Sequence, residues 1–140
     1  MFVLDTNVLS EIMDPHGAQE VLAWCDPIPR SDLFTTALCQ AEVLYGIAIM
    51  AKGRKRDGLI AAADTMFAED FRGRILPFDE RAAAHFADIL STLKRRGKPI
   101  RIVDAQIAGI VRARRMTVVT RNTKHFKNCE IGILNPWSRE

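Results

Sequence analysis

The sequence predicts an α/β fold, with a mostly parallel central sheet of about five strands and helices on both faces. Short runs rich in β-branched and apolar residues recur along the chain, and the segments between most of them carry apolar residues at helical spacing. Strands joined by helices run parallel, since a tight hairpin is not available to them. A length of 140 residues with 48% hydrophobic and 26% charged residues suits one core, and no linker or repeat interrupts it, so residues 1–140 read as a single domain.

Residues 2–5 are a short apolar run that ends in Asp, the first strand. Asn7–Met13 follows as a short helix, stopped around Pro15 and Gly17. Residues 18–25 place Val21, Leu22 and Cys25 at helical spacing, and Leu33–Thr36 is a β-rich second strand. Residues 38–51 form a strong helix with Leu38, Tyr45 and Ile49 as the stripe expected to face the core. Residues 55–70 form another, with Leu59, Ala62, Ala63, Met66 and Phe67 on one face. Ile75–Pro77 is the third strand. Asp79 is positioned to cap a helix over 80–96, which Gly97 and Pro99 terminate. Residues 101–115 are helical, Thr117–Thr120 is the fourth strand and Ile131–Leu134 the fifth.

This composition excludes a disordered, collagen-like or low-complexity chain. No apolar run approaches the roughly 20 residues needed to cross a bilayer. Met1–Asp5 has no basic segment leading into an apolar one, so a cytoplasmic location is expected. Cys25, Cys39 and Cys129 lack CxxC spacing, and His16, His85 and His125 are scattered, which argues against a disulfide framework, a zinc site or a catalytic triad. No nucleophile elbow, Walker A loop or dinucleotide fingerprint is present. The net charge is +3, with basic clusters at Arg54-Lys55-Arg56, at Lys94-Arg95-Arg96 with Lys98 and Arg101, at Arg112-Arg114-Arg115 and at Arg121-Lys124-Lys127. Several close helices and complement the macrodipole; the others are a candidate footprint for nucleic acid.

In parallel α/β sheets, sites lie beyond the carboxyl ends of the strands, near the point where the strand order reverses. Asp5 directly follows the first strand, where it serves either as an N-cap or as a site acid. Glu42 falls inside the stripe Leu38, Tyr45, Ile49 of its helix. A carboxylate facing the core must be protonated, ion-paired or bound to a metal. Asp104 repeats the pattern, with Ile100, Ile107, Ala108 and Val111 on its face. Converging acids repel and raise one another's pKa, and a hard divalent cation such as Mg²⁺ relieves this. On that reading Asp104→Asn raises the melting temperature in EDTA. Asn122, just after the fourth strand, is either an oxygen ligand or a turn residue. Thr6, Asn7 and Thr120 suit a role in aiming the carboxylates, and equally suit caps and turns.

The ordered set Val3-Leu4-Asp5-Thr6-Asn7-Val8-Leu9-Ser10-Glu11, Gln40-Ala41-Glu42-Val43-Leu44-Tyr45-Gly46, Ile102-Val103-Asp104-Ala105-Gln106-Ile107-Ala108, Val119-Thr120-Arg121-Asn122-Thr123 and Leu134-Asn135-Pro136-Trp137 closely resembles the PIN-domain family, in its VapC/FitB-type toxin branch. The resemblance spans essentially the whole chain. It implies a Mg²⁺- or Mn²⁺-dependent endoribonuclease, the toxin of a toxin–antitoxin pair. It further implies a homodimer held inactive by a small antitoxin that covers the site. The family's acids fall on Asp5, Glu42 and Asp104, and its fourth polar position on Asn122. Asp5 and Asp104 are then the principal metal ligands, with Glu42 binding directly or through water, and Arg121 and Lys124 hold the RNA backbone. The sequence departs from the pattern at His125, where relatives commonly carry an acid, and this leaves the second metal site open. Two other readings compete: a non-catalytic PIN-like interaction module, and a receiver-type Mg²⁺-binding signalling domain. The second lacks an acidic neighbour for Asp5 and a Lys after the fifth strand.

Overall fold

The computed structural model describes residues 1–138 and holds one five-stranded, wholly parallel sheet. Strand β1 (Phe2–Leu4) is its centre, and Val3 and Leu4 are fully buried because both faces of a parallel sheet are covered. Helices α1 (Thr6–Met13) and α2 (Gln19–Cys25) lead to β2 (Leu33–Thr36). Helices α3 (Ala37–Ala48) and α4 (Arg54–Thr65) lead to β3 (Ile75–Leu76). Helices α5 (Glu80–Arg95) and α6 (Ile102–Ala113) return the chain to β4 (Thr117–Val119), and a short loop reaches β5 (Gly132–Leu134).

The strand order is β3-β2-β1-β4-β5. The chain therefore steps outward from β1 through β2 to β3, then crosses back past β1 to β4. With right-handed crossovers, that reversal puts α5 and α6 on the face opposite the helices of the outward steps. It also makes the β1–β4 junction the topological switch point. Phe2, Val3 and Leu4 pair there with Thr117, Val118 and Val119, and the Asp5 amide donates to the Val119 carbonyl at 3.0 Å.

Local chemistry sets the element ends. The Thr36 hydroxyl caps α3 by accepting from the Cys39 amide at 3.0 Å, and Asp79 caps α5 by accepting from the Ala82 amide at 2.9 Å. Gly97, in the left-handed region at φ 66°, ends the turn after α5.

Two expectations need correction. The helix expected over 55–70 is regular only to Thr65, and Met66–Asp70 widens into a π-turn closed by Phe71 N–H on the Met66 carbonyl at 3.0 Å. The Arg74 guanidinium donates to the Asp70 carbonyl at the end of that turn and to the Arg30 and Leu33 carbonyls, tying the turn to the start of β2. In α3 the buried residues are Cys39, Val43 and Ile47, whereas Tyr45 and Ile49 are each 66% exposed. The Leu38–Tyr45–Ile49 stripe is therefore not the core face, and Glu42 stands half-buried at its edge.

Candidate active site

Three groups of polar side chains meet beyond the carboxyl ends of β1 and β4. The first is built on Asp5, which is buried and caps α1 by accepting from the Thr6 amide at 2.9 Å. The capping and site roles of this acid thus coincide, because a helix N-terminus attracts negative charge. Its other oxygen accepts from the buried Thr120 hydroxyl at 2.8 Å. Thr120 also accepts from the Asn7 side-chain amide at 3.3 Å and the Asn122 backbone amide at 3.0 Å. Asn7 accepts in turn from the Arg121 amide at 3.2 Å. Asp5 is thus locked by a network that ties α1 to the segment after β4.

The second group is Glu42 with Thr6, whose hydroxyl donates to the carboxylate at 3.2 Å. Burial, and next the Asp5 charge, push the Glu42 pKa up, and Asp104 adds to the rise; Thr6 and Arg101 oppose it. Glu42 therefore lies within the field of both Asp5 and Asp104.

The third group is Asp104, buried on the first turn of α6 beside Ile107, Ala108 and Val111, as its spacing predicts. The Arg101 guanidinium grips it as a fork, Nε on Oδ2 at 2.9 Å and Nη2 on Oδ1 at 3.0 Å. His125 Nδ1 stands 3.3 Å from the same Oδ2. The expectation that the acids face one another uncompensated therefore fails at Asp104, and a stabilising Asp104→Asn loses its physical premise there. Hydrogen bonding to Asp104, then its charge, hold Arg101 further into its protonated range, with Glu42 and Asp5 contributing.

The sequence reading did not single out Arg101 or the Asp104–His125 contact. The signal for Arg101 was present, since a base three residues before an acid on a helix lies on the same side. It also passed over Cys39, whose thiol lies 3.7 Å from Asp5 Oδ1 and whose pKa is pushed up to about 12 by burial and by that carboxylate. Thr6, Asn7 and Thr120 make the contacts expected of residues that aim the acids. Asn122 enters through its backbone only: its side chain makes no hydrogen bond among the described residues. The Arg121 guanidinium lies over the Trp137 ring, 5.3 Å from its centre, at the rim of the site. Lys124 is exposed on the turn Thr123–His125 and contacts none of the three acids.

The donor set is hard oxygen, the chemistry a small divalent cation requires. Among the described residues no three His, Cys, Asp or Glu side chains stand close enough to hold an ion as they are. The donors are of the right kind for such an ion, and the Arg101 fork occupies both oxygens of Asp104. Beside the acids an apolar groove of about 850 Å³ opens between α1, α3 and α4, lined by Ile12, Met13, Val43, Ile47 and Met50 and reaching Thr6 and Glu42.

With this geometry described, the similarities are informative. A family profile described as "PIN domain" matches residues 2–131. The chain is 38% identical over 137 residues to Toxin FitB of Neisseria gonorrhoeae, covering 98% of this chain and 99% of that one. It is 36% identical to VapC ribonuclease Y4jK of Sinorhizobium fredii, covering 98% of each. A chain in a solved structure of FitAB bound to an IR36 DNA fragment superposes with a TM-score of 0.92 at 38% identity, covering 100% of this chain and 98% of that one.

Proposed function

The chain belongs to the PIN-domain family, in its VapC/FitB branch of toxin ribonucleases, and from that premise we propose that Asp5, Glu42 and Asp104 together bind Mg²⁺ or Mn²⁺ to hydrolyse RNA phosphodiester bonds. The observation that carries this reading is the geometry beyond the β1–β4 switch point: Asp5 is locked by Thr6 and Thr120, Glu42 is held by the Thr6 hydroxyl, and Asp104 is buried at the start of α6. A bound divalent ion supplies a Lewis acid for the phosphoryl oxygen and a water of lowered pKa. Thr6 and Thr120 hold Asp5 in one orientation, so its carboxylate does not reorganise during the reaction. Glu42, held by the Thr6 hydroxyl, would complete the ligand set directly or through water. Asn122 serves through its backbone, keeping the Thr120 hydroxyl aimed at Asp5. Arg121, Lys124 and the neighbouring basic residues hold the RNA backbone, with Trp137 fixing the Arg121 side chain.

The partner proposed is a small cognate antitoxin. The relative solved as FitAB supports it, and the apolar groove that ends at Glu42 gives such a partner a seat from which to cover the site. A homodimer through the exposed apolar side chains of α3 is part of the same proposal. No helix among the described residues is long and apolar enough to cross a membrane, and the proposal places the enzyme in the cytoplasm with its RNA. The test is cleavage of total RNA by the purified chain in EDTA, Mg²⁺ and Mn²⁺. Cleavage that needs the ion and is abolished by Asp5→Asn is the expected result. Ion-independent cleavage, or cleavage that survives Asp5→Asn, would favour a non-catalytic module with a contaminating nuclease.

A further inference from the structure

Arg101 has no part in the chemistry above, yet it makes the most specific contact in the site. Its fork takes both oxygens of Asp104 at 2.9 and 3.0 Å. These are the in-plane lone pairs that a hard cation also uses. The Asp104 side chain is 5% exposed and that of Arg101 64%, so the acid is fixed and the base is free to leave. Asp104 is held by the first turn of α6, whereas Arg101 sits at the N-cap of that helix, and the rest of its long side chain reaches back from the boundary. A buried carboxylate that stays ionised is stabilised by a base or a cation beside it. Arg101 provides it, and its field extends to Glu42 and Asp5 as well.

We propose that Arg101 is an exchangeable counter-ion. It occupies Asp104 while no divalent ion is present, and an incoming ion must displace it. This rests on the reading of Asp104 as a metal ligand. It adds that the chain's own affinity for the ion is set in part by a residue outside the ligand set. The alternative is a static ion pair, in which the guanidinium keeps its place whether or not an ion binds.

The experiment is titration of the metal-free full chain with Mn²⁺ alone, read by calorimetry, with melting temperatures in EDTA and in saturating Mn²⁺. It compares wild type, Arg101→Gln, Arg101→Lys and Asp104→Asn. Exchange predicts that Arg101→Gln binds Mn²⁺ about three- to tenfold more tightly, the scale of one competing, half-exposed ion pair. Arg101→Lys, which keeps the charge and loses the fork, falls between Arg101→Gln and wild type. Arg101→Gln also melts lower than wild type in EDTA and gains more from Mn²⁺. Equal affinities for wild type and both Arg101 variants overturn the proposal. So does an Arg101→Lys affinity equal to wild type beside a tighter Arg101→Gln, because distant charge alone then explains the change. If Asp104→Asn binds Mn²⁺ as well as wild type, or no variant binds it, the reading of Asp104 as a ligand fails first and the exchange fails with it.

Discussion

At the scale of single residues, Thr120 bears more of the site than its size implies. It gives its hydroxyl to Asp5 in a buried contact and receives the amides of Asn7 and Asn122 in partly buried ones. Thr120→Val is close in shape but leaves three polar groups without a partner. It should lower stability by about 1–3 kcal/mol in chemical denaturation and reduce cleavage, while Thr120→Ser retains most of both. Glu42 carries a pH dependence of definite sign. Its pKa is raised on folding, so its contribution is most favourable in acid and is lost as the pH rises from the ordinary Glu range through the raised value. Glu42→Gln in EDTA should therefore melt about 1–3 °C higher at pH 7 and flatten that part of the stability profile. A variant that melts lower at every pH speaks against it. Asp104→Asn should melt lower in EDTA, since it loses the charge that the Arg101 fork pairs with. With His125 Nδ1 at 3.3 Å from Asp104, His125→Asp adds a hard donor where an imidazole stands. Cleavage by this variant should shift from Mn²⁺ towards Mg²⁺, read from the activation curves of both proteins with each ion. Unchanged activation curves count against that role. Asp5 and Asp104 were legible because each breaks a local pattern, an acid at a strand end and an acid in an apolar stripe. Arg101 was not, because an exposed base in a basic run breaks none.

At the scale of elements, the order and type of strands and helices were legible from alternation and caps, and their ends less so. The strands are two to four residues long, and tertiary pairing decides their limits. The face of α3 was misjudged for a definite reason. That helix is apolar nearly all round, carrying Leu38, Cys39, Val43, Leu44, Tyr45 and Ile47, so periodicity alone does not single out the inner side. The π-turn was illegible because Arg74, four residues past it in sequence, makes it tolerable. The packing of α5 on α6 yields a prediction that propensity gets backwards. A Cβ at Gly109 would lie 2.7 Å from the Ala82 carbonyl oxygen and 3.0 Å from the Phe86 nitrogen, both backbone atoms. Gly109→Ala gains up to about 1 kcal/mol of helix propensity. It should nonetheless destabilise the protein, by about 1–3 kcal/mol, because α5 must move away. Urea denaturation reads the sign directly.

At the scale of the molecule, binding of RNA through phosphates makes affinity fall linearly with salt on logarithmic axes, and Arg121→Ala should shallow the slope by about one unit or less. Affinity that ignores salt speaks against a phosphate-dominated interface. The strand order has a consequence for how the protein comes into being. β1 is synthesised first, yet it lies between β2 and β4. Asp5 waits 115 residues for Thr120, which at about 5–20 residues per second is roughly 6–23 s of translation. Asp104 emerges nearly as late. Until those segments are made, Asp5 stands without the hydroxyl that aims it and without its partner acid. The strand order thus sets a lower bound on how early the site can assemble, because the residues that complete it follow the first by most of the domain.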